Sequence, residues 1–264
     1  MESFSGKTAW ITGASSGIGK ALAQQLISEG AKVIISSHDP NGLEQIKNNL
    51  QSPENCFTVP FDLSNPEIVA QTADKVIAEH KKIDILINNG GISQRSYANE
   101  TSVEIDRKIM EIDYFSYVIL TKKVLPLMLQ NGGGYIAATS SISGKFGFPL
   151  RSAYAAAKHA IQGFFETVRA EYSKQNVSVT IAYPGRVKTD ISVHALEKDG
   201  KAHGKMDDGQ VGGISAEECA RQYIKAIKKR KAEKLIGGKE LLMVHIKRFF
   251  PRIFFKIVTK IDPT

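Results

Sequence analysis

Tyr154 and Lys158, in Tyr154-Ala-Ala-Ala-Lys158, are the pair in this sequence best suited to move a proton. On a helix, residues four apart share a face, so the ammonium can lie beside the phenol. A free phenol titrates near ~10 and exchanges protons poorly at neutral pH, whereas a neighbouring cation stabilises the phenolate. With eight tyrosines in a lysine-rich chain, about one such spacing arises by chance. The pair gains weight from Ser141, thirteen residues upstream at the end of a strand-like apolar run. That is where ligand-facing residues of an open α/β sheet belong.

A second constellation is Thr12-Gly13-Ala14-Ser15-Ser16-Gly17-Ile18-Gly19, which closes the first strand-like run and opens a helical pattern. Glycines there let the backbone turn sharply and approach a pyrophosphate, while the helix N-terminus offers unpaired N–H groups to it. The spacing Gly-x-x-x-Gly-x-Gly departs from the commoner Gly-x-Gly-x-x-Gly, and a ligand-free turn can also be glycine-rich.

The elements that must hold these residues alternate without a break in composition. Strand patterns fall near residues 8–12, 32–36, 56–61, 83–88, 134–139, 177–182 and 234–236. Helical patterns fall near 17–29, 42–50, 66–81, 103–129, 152–175 and 216–230. Several strands are continuous apolar runs, as expected when helices cover both sheet faces. The alternation predicts an α/β fold: a Rossmann-like, doubly wound parallel sheet of about seven strands in a single domain, residues 1–238. A basic amphipathic tail, 239–264, follows it. Residues 198–213, polar and glycine-bearing, read as part of a mobile lid.

The chain has 264 residues, 42% of them hydrophobic and 23% charged, enough for a substantial core. Its net charge of +8 is unevenly placed. From Ile224 onward, 12 Lys and Arg face Glu233, Glu240 and Asp262, so the rest of the chain is nearly neutral. A nucleic-acid-binding body would spread its cations over the fold, so no nucleic-acid partner is expected. Cys56 and Cys219 stand too far apart for a disulfide scaffold or zinc ribbon, and no metal site is expected. No apolar run reaches the ~18 residues of a membrane span, and with so short a segment before the first strand no signal peptide is expected. The expected location is cytoplasmic.

In these motifs the chain resembles the single-domain short-chain dehydrogenase/reductase family over roughly residues 4–236. The resemblance rests on an ordered set: the 12–19 turn, Asp62-Leu63, Asn88-Asn89-Gly90-Gly91, Ser141, Tyr154 with Lys158, and Pro184-Gly185 with Thr189. It implies a dehydrogenase or reductase acting on CH–OH and C=O groups through a nicotinamide cofactor. Tyr154 would be general acid in reduction and base in oxidation. Lys158 would assist the phenolate and hold the nicotinamide ribose, and Ser141 would bind the substrate oxygen as charge develops on it. Gly13, Ser15, Ser16, Gly17, Ile18 and Gly19 would hold the pyrophosphate side, and Asp62 and Leu63 the adenine. Asn89, Gly90 and Gly91 would flank the adenosine ribose, while Val187 and Thr189, after Pro184-Gly185, would orient the carboxamide.

Two positions depart from the family pattern. Asn-Asn-Ala-Gly appears as Asn-Asn-Gly-Gly, and the helix Asn that backs the proton relay aligns with Asp113. A carboxylate there favours charged Lys158 and could either sustain or slow the relay. Cofactor choice turns on Ser36-Ser37-His38-Asp39. The acid of NAD-preferring relatives is missing at Ser37, and Ser37 with a protonatable His38 could bind a 2′-phosphate, so NADP(H) is expected over NAD(H). Asp39 would serve as the acid only if the register slipped by two.

Phe146, Phe148, Pro149 and Leu150 lie where the family's substrate wall lies, which suits either an apolar carbonyl or alcohol substrate or ordinary packing. On a helix after Pro251, Arg252, Lys256 and Lys260 share a narrow face among apolar residues. Such a helix fits peripheral contact with an anionic membrane, or packing over its own cleft or a partner subunit. The resemblance also implies a homodimer or homotetramer through 103–129 and 152–175. The reading is an NADP(H)-dependent oxidoreductase interconverting a carbonyl and a secondary alcohol by hydride transfer, on a hydrophobic small molecule. Its rivals are a 3-oxoacyl carrier-protein reductase and a non-catalytic nucleotide-binding regulator or membrane scaffold.

Overall fold

Adjacent residues of the central strands serve opposite sides of the sheet, which is why these strands are apolar throughout. Trp10, Ile34 and Leu86 pack on one face with Val69, Leu120, Val124, Ile161 and Phe165. Their chain neighbours Ile11, Ile35 and Ile87 pack on the other with Leu22, Leu26, Leu43, Tyr223 and Ile227. The computed structural model describes residues 3–261; Asp262, Pro263 and Thr264, the end of the tail, lie outside them, as do Met1 and Glu2.

The strands are β1 (Thr8–Thr12), β2 (Lys32–Ser36), β3 (Cys56–Thr58), β4 (Ile85–Asn88), β5 (Gly134–Thr139), β6 (Val177–Pro184) and β7 (Glu233–Ile236). They form one seven-stranded sheet in the order β3-β2-β1-β4-β5-β6-β7, every pair parallel. The helices are α1 (Gly17–Ser28), α2 (Pro40–Asn48), α3 (Pro66–His80), α4 (Val103–Met110), α5 (Ser116–Gln130) and α6 (Ser152–Glu171). They continue as α7 (Asp208–Val211), α8 (Ala216–Lys228), α9 (Leu242–Phe249) and α10 (Pro251–Val258). Helices α1, α2 and α8 cover one face, and α3, α5 and α6 the other. The strand order reverses between β1 and β4, which opens a crevice at their carboxyl ends. Rossmann-like, doubly wound and single-domain, this is the expected architecture.

Local chemistry moved several boundaries. The Asp39 side chain accepts a hydrogen bond from Gly42 N–H at 3.0 Å, so α2 starts at Pro40, two residues before the helical pattern near Gly42. Strand β3 stops at Thr58, where the expected strand ran to Phe61. The long helix over 103–129 is interrupted by a π turn, Glu111–Phe115, between α4 and α5. Such a wide turn often marks a functional site. The 198–213 stretch is mostly irregular, with the single turn of α7 inside it. No helix among the described residues is long and apolar enough to cross a membrane.

The tail folds back on the body. Phe254 and Val258 are buried in a small cluster with Phe146, against which Ile142, Phe148, Met243 and Ile246 pack. The Phe146 and Phe254 rings meet edge-on at 5.2 Å. Of the alternatives open for the tail, packing over its own cleft is therefore realised on its inner face.

Candidate active site

One cleft of about 930 Å³ runs along the carboxyl edge of the sheet. Thr12, Gly13 and Ser15 to Ile18 of the 12–19 turn line it together with Ser141, Tyr154 and Lys158. The remaining expected residues that line it are Ser37, His38, Asp62, Leu63, Asn89, Gly90, Gly91, Pro184, Gly185, Val187 and Thr189. Gly19 lies behind the turn and Asp113 behind Lys158.

Glycine is required at two points of the turn. A Cβ on Gly19 would stand 2.1 Å from the Gly13 carbonyl oxygen, and one on Gly13, at φ +64°, would stand 2.4 Å from Gly90 Cα. The turn is thus pressed against the loop after β4. That loop is fixed by Thr12, whose hydroxyl accepts from Asn89 N–H and Gly90 N–H at 3.0 and 3.1 Å. Asn89 Nδ2 donates to the Thr12 and Gly13 carbonyls. The Gly90 departure has a local counterpart: a methyl there would meet Leu63 at 2.5 Å. Thr189 lies across the turn, its Cγ2 3.0 Å from where a Gly17 Cβ would be. This backbone cradle at the start of α1 suits a dinucleotide pyrophosphate.

After β2, Ser37 shares a hydrogen bond of 2.8 Å with Ser15 of the turn and accepts from Asp39 N–H at 3.2 Å. His38 lines the cleft exposed to solvent. Asp39 is committed to capping α2 and is not part of the cleft lining. Ser37 and His38 therefore face the cleft, and the Asp39 side chain is turned to α2.

The proton-handling residues converge from three elements. Ser141 follows β5; its hydroxyl donates to the Pro184 carbonyl at 3.4 Å and accepts from Ser143 N–H at 3.1 Å. Tyr154 and Lys158 lie one turn apart on α6, with Lys158 Nζ 5.5 Å from the Tyr154 ring centre. Lys158 is buried, donates to the Thr139 carbonyl at 3.2 Å and pairs with Asp113 Oδ2 at 3.0 Å. Asp113, in the π turn and fully buried, accepts from Ile92 N–H at 2.8 Å.

Burial alone would lower the Lys158 pKa, but the Asp113 carboxylate and the phenols of Tyr117 and Tyr154 outweigh it and hold Lys158 above the ordinary lysine value. Burial pushes Asp113 above the ordinary carboxylate range, opposed by Lys158 and the Ile92 N–H. The charged form of Lys158 beside Tyr154 is therefore favoured and directly paired with Asp113.

Three residues without a motif also line the cleft. Arg95, after β4, grips Asp207 with two nitrogens, its Nε 3.1 Å from Oδ1. Arg151, just before α6, donates to the same carboxylate at 2.8 Å. All three are buried. Asp207 N–H donates to Ser192 at 3.1 Å, so this cluster pins the 190–213 segment to the body. Sequence spacing gave no signal for it, because its members come from three distant segments. Asp207→Asn should loosen that segment. Limited proteolysis should then cut within 190–213 at least about tenfold faster, while loss of a buried charged partner costs roughly 3–5 kcal/mol. Unchanged cleavage would show that the segment is held elsewhere.

The fold, the glycine cradle and the Ser–Tyr–Lys cleft together define a nucleotide-dependent oxidoreductase, and the chain belongs to the short-chain dehydrogenase family. The short chain dehydrogenase family model matches residues 7–200. Among its relatives, dehydrogenase/reductase SDR family member 7B of Rattus norvegicus is 40% identical over 257 residues, covering 94% of this chain and 79% of the relative. A short-chain dehydrogenase/reductase from Burkholderia phymatum in complex with NAD shares the fold, with TM-score 0.83 and 24% identity over 100% of this chain and 98% of that one. A putative NAD(P)-dependent gluconate 5-dehydrogenase from Beutenbergia cavernae with bound NADP is 30% identical, with TM-score 0.67 over 72% and 76% of the two chains. The chain is an NAD(P)-dependent oxidoreductase.

Proposed function

We propose that this protein uses NADP(H) to interconvert a carbonyl and a secondary alcohol on a hydrophobic small molecule. The observation that carries the reading is the convergence of Ser141, Tyr154 and Lys158 in one cleft continuous with the glycine cradle. When bound, the nicotinamide supplies or accepts the hydride. In reduction, the Tyr154 hydroxyl gives its proton to the substrate oxygen; in oxidation, the phenolate takes it back. Ser141 turns its hydroxyl from the Pro184 carbonyl to that oxygen as negative charge builds. Lys158 stabilises the phenolate and holds the ribose hydroxyls. Gly13, Ser15, Ser16, Gly17 and Ile18 hold the pyrophosphate, with Gly19 packed behind them; Asp62, Leu63, Asn89, Gly90 and Gly91 hold the adenosine; Pro184, Gly185, Val187 and Thr189 hold the carboxamide side.

Asp113 is a positioning residue in this scheme. Its negative charge offsets part of the field that Lys158 exerts on the phenol. Removing it in Asp113→Asn should strengthen that field and ease phenolate formation. The pH profile of alcohol oxidation should then move to lower pH by about half to one unit. A profile and rate unchanged from wild type would leave Asp113 no role beyond packing.

The cofactor preference is supported by Ser37 and His38 at the ribose end and by the commitment of Asp39 to α2. Without a carboxylate to repel the 2′-phosphate, kcat/KM should favour NADPH over NADH by at least about tenfold, the effect of ~1.4 kcal/mol. A preference for NADH would overturn this part of the reading.

The reading extends to a catalytic unit of residues 1–238 carrying the tail, 239–264. It includes a homodimer or homotetramer formed through the α4–α5 and α6 faces, where Val103 and Phe115 are exposed. It also includes peripheral contact of the tail with an anionic membrane and a cytoplasmic location. A panel of steroid, retinoid and long-chain ketones beside acetoacetyl thioesters, run with both cofactors, tests it. Turnover of thioesters alone would favour a 3-oxoacyl carrier-protein reductase.

A further inference from the structure

We propose that the tail seats the protein on an anionic lipid surface so that the cleft draws its substrate from that lipid; the second half of this inference rests on the oxidoreductase reading above. Five of the eleven large apolar residues exposed among the described residues, Leu242, Phe249, Phe250, Ile253 and Phe255, fall on α9, α10 and the single residue that joins them. Clustering on that scale marks an interaction surface rather than scattered exposure. Arg248, Arg252, Lys256 and Lys260 stand exposed among them. The one carboxylate among the described tail residues, Glu240, is occupied by the N–H groups of Gly238 and Arg186.

Apolar groups mixed with cations fit the interface of an anionic bilayer, where the rings enter the headgroup boundary and the cations meet phosphate. A second copy is a poor occupant, because pairing this face with itself would oppose like charges.

The inner face of the same helices is part of the cleft. Met243 of α9 lines it beside Phe146 and Phe148, as does Ile261 just after α10, and Phe254 packs on Phe146. Ring contacts from exposed Phe255 through Phe254 to Phe146 therefore connect the outer face of the tail to the cleft that Tyr154 also lines. A ketone or alcohol dissolved in the bilayer could follow them without crossing water.

Three measurements test this on the full chain: sedimentation with phosphatidylserine-containing vesicles and with pure phosphatidylcholine vesicles; turnover of a short water-soluble ketone; and turnover of a long-chain ketone carried in the vesicles. Wild type should bind the anionic vesicles and reduce the long-chain ketone faster on them. The triple variant Arg248→Glu, Arg252→Glu, Lys256→Glu should bind at least about 100-fold more weakly, at roughly fivefold per cation. The pair Phe249→Ser, Phe255→Ser should also lose binding. Both variants should keep the short-ketone rate and lose the vesicle-dependent gain.

Wild type left in the supernatant, or variants that bind equally, would overturn lipid docking. A dimer that these substitutions dissolve, without vesicle binding, would assign the face to a second copy. Vesicle binding with no gain for the long-chain ketone would overturn delivery from lipid. Failure on the short ketone would instead count against the oxidoreductase reading, while the sedimentation result would stand.

Discussion

Tyr154→Phe should lower kcat for ketone reduction by about 10²–10⁴-fold, the range contributed by a positioned general acid. The substitution removes one oxygen from a residue only 8% exposed and leaves the ring beside Lys158 in place. Stability should therefore change little, and NADPH affinity should stay within about tenfold, the span of one lost hydrogen bond. Fluorescence titration of the cofactor, beside initial rates, separates binding from chemistry. A loss confined to KM would mean that Tyr154 binds substrate without moving a proton, and retention of full kcat would remove it from the mechanism.

Lys158→Met should have the largest effect on folding. Its ammonium lies 3.0 Å from a carboxylate with no exposure to solvent. A buried ion pair adds little net stability over an apolar pair, but breaking it strands the remaining charge, at a cost of about 3–5 kcal/mol. That is a large share of the ~5–15 kcal/mol that holds a domain folded. The double variant Asp113→Asn, Lys158→Met should recover much of the loss, because no unpaired charge is then left at that site. Urea unfolding of the four proteins in this cycle measures the coupling, provided the slopes agree. A single variant within about 1 kcal/mol of wild type would show that Asp113 is not held as a carboxylate by Lys158. Activity of the double variant should remain low, because the ammonium beside the phenol is absent.

The central strands were legible because burial on both faces leaves a mark that composition cannot hide: Ile34 and Ile35, or Leu86 and Ile87, are apolar in adjacent positions. The glycine turn was legible because the close approach of Gly13 to Gly90 admits no side chain. Tyr154 and Lys158 were legible through helical periodicity, and Ser141 through its place after β5. The π turn was not, since one wider turn hardly disturbs the apolar stripe of a long helix. Nor was the Arg95–Asp207–Arg151 cluster, which exists only once three loops meet. The tail showed its composition and its break at Pro251. Which side of it faces the body depends on where Phe146 lies, and a local pattern carries no such information.

The most direct test uses NADPH deuterated at the nicotinamide C4 with a panel of apolar ketones, followed by mass spectrometry of the alcohols formed. One deuterium should appear on the carbinol carbon, and Tyr154→Phe should suppress this product while still binding the cofactor. Bound NADPH that passes no deuterium to any ketone or thioester in the panel would contradict this.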